Sequence, residues 1–496
     1  MSRKVIVIGS GFAGLSAASF MAKAGWDVTV LEKHPIPGGR ARQLKADGFT
    51  FDMGPSWYWM PDVFERYFHC FGKKVSDYYK LERLDPSYRV YYNDGPIDIP
   101  ADFIQLQQLF NSIESGSGEQ LEKFLEEAAY KYKVGVNKLV FKPGLSLTEF
   151  MDVDLVKGLF KLDVFSSMRS HVAKYFTNPK LRQLMEFPVL FLGALAENMP
   201  ALYSLMNFAD IKGGTWYPQG GMYSVVKAMY ELAVELGVDF HFGEEVTQVV
   251  IEQKEVKQVL TVSADGTEKT YEADTVIGGA DYHHIEMKLL PAAYRSYNEK
   301  YWDKRIMAPG CLLYYVGLNK KIDGVRHHSL FFDTSFEQHG KEIYTTKEWP
   351  TDPLFYVSAT SVTDNTVAPA GCENLFLLIP VAAGLENDST ELRERYFHMI
   401  IERMEKHFGQ SIKESVIYKR SFAQSDFVKD YHAFKGNAYG LANTLWQTAV
   451  LKPSCRSKKV SNLFYTGQLT VPGPGVPPSL ISGEVVAGEV VKAFGK

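Results

Sequence analysis

Gly9, Gly11 and Gly14 form the pattern G-x-G-x-x-G, and Glu32 stands 21 residues after the second glycine. That spacing belongs to phosphate chemistry. Gly9 allows a tight turn, Gly11 lets the backbone approach a pyrophosphate, and Gly14 lets a helix pack closely on a strand. A helix N-terminus then faces the phosphates with unpaired N–H groups and its positive dipole end. Glu32 can accept hydrogen bonds from ribose hydroxyls. The motif binds a dinucleotide; alone it does not separate NAD from FAD.

These residues need elements to hold them. Val5–Ile8 is a continuous apolar, β-branched run, which suits a strand covered on both faces. Leu15–Ala24 reads as a helix closed by Gly25, and Val28–Leu31 as a second strand ending at Glu32. From about 100 to 210 helical patterns dominate. Tyr217–Met222 reads as a turn and Tyr223–Leu236 as a helix. Phe240–Phe242, Val246–Glu252, Val256–Ser263, Asp274–Gly278 and Leu463–Thr466 read as strands. Aromatic, β-branched stretches such as Leu312–Leu318 and Leu375–Val381 predict a mixed or antiparallel sheet. Pro478–Phe494 is the expected closing helix, with Ser479 as its cap.

The chain has 496 residues, 54 basic and 58 acidic, and a formal charge of −4. With 46% hydrophobic residues it has ordinary globular composition, which excludes a disordered or collagen-like chain. The near-neutral balance argues against nucleic-acid binding. Cys70, Cys311, Cys372 and Cys455 are scattered without metal-ligand spacing, so free thiols and no metal site are expected. Glycines break the N-terminal apolar run, unlike a signal peptide. No window reaches the ~18 apolar residues of a membrane span. The expected location is cytoplasmic, peripheral at the inner face of the cell membrane.

After Glu32 come Lys33, Gly38-Gly39-Arg40 and Gly48–Asp52, then Gly54-Pro55-Ser56. This string resembles the flavin-dependent amine oxidase and carotenoid desaturase superfamily, in which an E-K-x(n)-G-G-R run holds FAD. Tyr217-Pro-x-Gly-Gly-Met222, Asp274–Asp281, Gly436–Leu441 and Gly467–Pro478 carry the likeness along the chain, closest to the flavobacterial-type phytoene desaturases. Gly279 replaces the asparagine of the family pattern beside Asp281. The resemblance implies FAD contacts at Gly9, Gly11, Phe12, Ala13, Gly14, Glu32, Lys33, Gly39, Arg40, Pro55, Ser56, Val246, Asp281, Gly467, Gln468, Gly475, Val476 and Pro477.

The implied fold is α/β: a Rossmann-like FAD-binding domain assembled from residues 1–85, 211–290 and 436–496, a mixed-sheet substrate-binding domain from 86–100 and 291–435, and a helical, membrane-facing insert over 101–210. The implied activity is desaturation of phytoene and successive intermediates towards lycopene, with the hydride passing to the flavin. The proton-accepting base is not named; Asp281 is a weak candidate, and Asp163 and Glu197 read better as structural or surface acids. Phe187–Leu195 and Leu202–Phe208 are candidate tunnel walls. Only one dinucleotide fingerprint is present, so a quinone or oxygen is the expected electron acceptor. Other readings are a hydroxycarotenoid 3,4-desaturase, an FAD-dependent carotenoid isomerase, and a non-catalytic isoprenoid-binding protein like the GDP dissociation inhibitors. The intact Gly38–Arg40 and Pro472–Pro478 segments argue against the last. For the membrane contact, Asp154–Phe176 reads as amphipathic: Leu155, Leu159 and Leu162 recur at helical spacing, with Val156, Phe160, Lys157, Lys161, Arg169 and Lys174.

Overall fold

A computed structural model describes residues 3–150, 166–190 and 192–495. Lys4–Ile8 is the central strand of a five-stranded parallel sheet. Asp27–Glu32 and then Asp239–Phe242 lie to one side, Thr275–Gly278 and then Leu463–Tyr465 to the other. The apolar run explains the central position. Val5 and Val7 pack with the helices Phe12–Lys23 and Val476–Phe494. Ile6 and Ile8 pack with the antiparallel strands Glu244–Glu252 and Glu255–Ser263. Both faces are covered, as a parallel strand requires.

The two helices meet at backbone distance. A Cβ added at Gly483 would stand 2.5 Å from Ala13 O and 2.6 Å from Ala17 N. Ser16 Oγ donates to Leu480 O across the same contact, at 2.6 Å. The end of the chain is thereby pressed against the fingerprint helix.

A seven-stranded sheet stands apart from the first. Its spatial order is Val416–Phe422, Gly310–Leu318, Glu373–Val381, Phe355–Ser358, His328–Phe331, Tyr88–Tyr92, Gly95–Ile99. Its neighbours are antiparallel except His328–Phe331 beside Tyr88–Tyr92, so the sheet is mixed, as expected. Side chains alternate along Gly310–Leu318. Leu312, Tyr314 and Val316 pack with the helix Thr390–Phe408. Cys311, Leu313 and Tyr315 face the opposite core, which includes the helices Phe103–Ile113, Ser117–Val134 and Pro179–Leu190.

Some boundaries differ from the sequence reading. The fingerprint helix begins at Phe12 and the closing helix at Val476. Pro477 and Pro478 sit in the first turn, where a missing N–H removes no helical bond. Ser479 is therefore inside the helix. Its hydroxyl donates back to Gly475 O at 2.7 Å, and Gly475 is the N-cap with no side-chain cap at all.

Residues 151–165, with Leu155, Val156, Lys157, Leu159, Phe160, Lys161, Leu162 and Asp163, lie outside the described residues. In the described remainder of that segment Lys174 is exposed, while the other basic residue is engaged. Met168, Val172 and Phe176 are buried, and Arg169 pairs with Glu197 at 3.1 Å and Glu186 at 3.6 Å. Among the described residues no helix is long and apolar enough to cross a membrane.

Candidate active site

The fingerprint turn is built as its glycines require. Gly9 has φ +95°, and its N–H donates to Leu31 O at 2.8 Å, tying the turn to the second strand. A Cβ at Gly14 would lie 2.0 Å from Gly9 O, so only glycine lets helix and turn meet. A Cβ at Gly11 would meet nothing within 4 Å: the position opens into a cavity. Gly11 caps the helix without a side-chain bond and no acid stands in the first turn, which leaves the positive end available to an anion.

A second glycine turn lies against the first. Gly38 N donates to Ser10 O at 2.9 Å, and a Cβ at Gly39 would stand 3.4 Å from Gly11 Cα. Arg40 follows. Its guanidinium is buried, reaches only two neutral acceptors, Asn437 O at 3.4 Å and the Gln468 amide oxygen at 3.1 Å, and leaves Nε without a partner. It lies over the Tyr431 ring, 5.3 Å from the centroid. A buried cation with this few acceptors fits an anionic group such as a diphosphate.

Glu32 ends the second strand 5% exposed. One carboxylate oxygen accepts from Ser10 N and Ser10 Oγ, and the other from His34 N at 2.9 Å. Its fixed carboxylate reaches the cavity wall, where it fits a ribose.

Most of these residues border one cavity of about 750 Å³. Gly9, Gly11, Phe12, Ala13, Glu32, Lys33, Gly39, Arg40, Pro55, Ser56, Val246, Asp281, Gly467, Gln468, Gly475, Val476 and Pro477 line it. Gly14 does not; it acts behind the wall, on Gly9. Lys33 is held by Lys429 O at 3.1 Å and His432 Nε2 at 3.2 Å. Gly467 N donates to Ser482 Oγ at 2.9 Å, and the Gln468 amide nitrogen donates to Tyr439 O at 3.1 Å while its oxygen accepts from Arg40.

Asp281 is a cap. One oxygen accepts from His284 N and the other from Phe434 N, both at 3.1 Å. Burial pushes its carboxyl up, opposed by the Arg40 charge and the two N–H bonds. Gly279, the departure from the family pattern, sits in tight surroundings: a Cβ there would stand 3.1 Å from Ile8 O and 3.3 Å from Gly14 Cα. Glu197 is an exposed partner of Arg169.

The same cavity continues along the seven-stranded sheet. Leu313, Phe376 and Leu378 line it from one sheet face, and Pro188, Leu192, Leu202, Tyr203, Leu205 and Met206 from the helical region. Phe187, Val189 and Ala194 are core instead, so the two expected tunnel segments line the cavity only in part. Sequence reading passed over the polar exception on this wall, Tyr356. Its hydroxyl bonds Nδ1 of the fully buried His328 at 2.6 Å, and Trp57 stacks on that imidazole at 4.2 Å. Burial holds His328 far below the usual histidine range. No motif marks this pair, because its members stand 28 residues apart on two paired strands.

Residues 12–491 match the family described as flavin containing amine oxidoreductase. A carotenoid 3,4-desaturase of Haloarcula japonica is 42% identical over 98% of both chains. A zeta-carotene-forming phytoene desaturase of Myxococcus xanthus is 31% identical over 98% of this chain and 93% of its own length. Among solved structures, an oxidoreductase from Methanosarcina mazei superimposes with a TM-score of 0.63 at 16% identity, over 98% of this chain and 100% of the other. Putrescine oxidase superimposes with a TM-score of 0.61 at 14% identity, over 99% of both chains. Because the likeness runs from the fingerprint helix to the closing one, this chain belongs to the flavin containing amine oxidoreductase family and, within it, to the FAD-dependent carotenoid desaturases.

Proposed function

We propose that the chain desaturates a late-pathway carotenoid at its 3,4 bond, and that the phytoene series towards lycopene is the second reading. The observation that carries the reading is the joined cavity: a dinucleotide cradle opens directly onto an apolar sheet face. The relative at 42% identity, a carotenoid 3,4-desaturase, supports the first step; the phytoene desaturase at 31% supports the second.

FAD, when bound, supplies hydride acceptance from carbon. The chain's residues do the holding. The open helix end at Phe12 and the Arg40 guanidinium take the diphosphate, Glu32 takes the ribose, and Gly11 and Gly39 admit both at backbone distance. Leu313, Phe376, Leu378 and the helical wall position a polyene by shape and keep water away, since such a substrate offers no charge to grip.

Desaturation also releases a vicinal proton. The carboxylates on the described wall are already engaged. Glu32 accepts from Ser10 and His34, and Asp281 from two backbone amides. Glu244 pairs with Lys269, Glu245 with His432 and Asp430 with Arg42. None is assigned as the base, and water is the acceptor in this reading.

A lipid-soluble substrate has to enter from a bilayer. Leu147 lines the cavity and is 69% exposed. Thr448, Ala449 and Val450 line it too, flanked by Trp446 and Leu451, which are 79% and 46% exposed. A Cβ at Gly144 would be 3.1 Å from Ala449 O, so the two loops touch. This apolar rim is the proposed membrane contact.

Purified protein reconstituted with FAD and given phytoene, lycopene or a 1-hydroxylated carotenoid in separate liposome assays tests the reading. A longer chromophore only from the later substrates supports 3,4-desaturation; colour from phytoene moves the assignment to the second reading; no spectral change with any of them removes both.

A further inference from the structure

We propose that Lys452 is a built-in counter-charge of the flavin site: a buried cation, clamped by Asn443 against the turn at Gly473, that compensates the negative charge the flavin carries after accepting hydride. The inference rests on the reading that the ring of FAD lies against the turn at residues 472–475.

Lys452 is 5% exposed. Its Nζ donates to Asn443 Oδ1 at 2.9 Å, and among the described residues no carboxylate pairs with it. Asn443 lines the cavity, and so do Val471, Pro472 and Pro474. Gly473, with φ +134°, marks where ammonium and turn meet. A Cβ there would stand 3.0 Å from Lys452 Nζ and 2.8 Å from Asn443 Oδ1. Three residues on, the helix Val476–Phe494 begins with neither a side-chain cap nor an acid in its first turn.

Two positive features therefore lie at one stretch of cavity wall, the helix end on it and Lys452 directly behind it on Asn443, and among the described residues no carboxylate pairs with either. Burying an ammonium without a counter-ion is costly, and a carboxylate nearby would have removed that cost. Burial brings the ammonium down to about 7; an adjacent anion raises it again and keeps the charge in place. The anion this arrangement suits is one that appears during turnover.

The charge accounting closes. A C–H bond of the carotenoid breaks and its hydride, with both electrons, goes to FAD, which gains one negative charge. The vicinal C–H bond releases its proton to water, and its electron pair forms the new C=C bond. The carotenoid is oxidised and the flavin reduced. Lys452 transfers nothing; it makes the reduced flavin more stable relative to the oxidised form.

The test uses FAD-loaded Lys452→Met and Lys452→Arg. Bound FAD is counted by absorbance, and its midpoint potential is measured by dye-equilibrated reduction. Sulfite, which adds to oxidised flavin to give an anionic adduct, is a second probe. Lys452→Met is expected to keep its FAD, bind sulfite at least tenfold more weakly, and shift the two-electron equilibrium about tenfold against reduction, a fall of ~30 mV. Lys452→Arg is expected to stay within about threefold of wild type. Should Lys452→Met not fold, Asn443→Leu, which removes the clamp, is expected to move the potential in the same direction.

Val476→Phe separates the two ideas. If it shifts the flavin's visible spectrum while Lys452→Met, or Asn443→Leu in its place, leaves potential and sulfite affinity unchanged, the counter-charge is overturned and the placement of the ring stands. If Val476→Phe leaves the spectrum unchanged as well, the ring lies elsewhere and both fall.

Discussion

Glu32 holds Ser10 twice: a single carboxylate oxygen accepts the Ser10 amide at 2.8 Å and its hydroxyl at 2.7 Å. The acid at the end of the second strand thus fixes the middle of the glycine turn, and the ribose-binding group and the phosphate-binding turn are one rigid unit. Glu32→Ala loses both the grip on the turn and the charge-assisted bond to the ribose. Affinity for FAD should fall about ten- to a hundredfold, or roughly 1.5–3 kcal/mol. Titration of apoprotein with FAD checks this, and unchanged affinity in a folded variant would remove Glu32 from the site.

Gly14 and Gly25 are both glycines of the same unit, with different reasons. A Cβ at Gly14 would collide with Gly9 O, while one at Gly25, φ +89°, meets open space. Gly25→Ala should cost about 1–2 kcal/mol from left-handed backbone alone. Gly14→Ala should cost more than that through overpacking, and it alone should weaken FAD binding. Urea midpoints of the two variants, measured with FAD affinity, decide the matter.

His339 predicts an acid sensitivity. Leu354 N donates to its Nδ1 at 3.0 Å, and its Nε2 meets Pro380 O at 2.9 Å, so the ring is held neutral. Burial lowers it to about 4. The unfolded chain takes up this proton below about pH 6.5 and the native protein does not until about pH 4, so stability is lost as pH falls through that window. One such histidine is worth about 3 kcal/mol over the whole interval. His339→Gln should show a correspondingly flatter decline of the urea midpoint between pH 6.5 and 4.5; parallel curves would disprove the burial argument.

With a single dinucleotide fingerprint, turnover should proceed without NAD(P)+ when a quinone or oxygen is supplied. Anaerobic assays with a quinone as sole oxidant check this. A strict stoichiometric need for NAD(P)+ would reverse it.

The apolar rim gives a prediction about membranes. Leu147→Glu with Trp446→Glu should weaken co-sedimentation with liposomes severalfold while FAD content stays intact. Charge reversal at Lys157, Lys161 and Lys174 is the competing arm. If only the lysine variant loses binding, the contact belongs to that basic segment instead.

The sequence by itself determined the dinucleotide unit, because there each function is met by neighbouring residues. Gly9, Gly11, Gly14 and Glu32 are spaced by one strand, one turn and one helix, and the backbone geometry of those elements leaves little else for the spacing to mean. The parallel strand Lys4–Ile8 and the mixed character of the second sheet were legible for the same local reason: apolar runs report burial. Tertiary structure decided what depends on partners distant in the chain. Ser479 looked like a cap, but the proline pair beside it fits inside the first helical turn and moves the cap to Gly475. Arg169 looked like a free cation until Glu197 appeared beside it. Gly279 is an unexplained departure in sequence; its tight surroundings, with Ile8 O and Gly14 Cα 3.1 and 3.3 Å from where a Cβ would stand, come only from the fold. Lys452 carries no motif at all. Its meaning comes from Asn443 and Gly473 closing around it, and burial of a charge is set by packing, which no local spacing records.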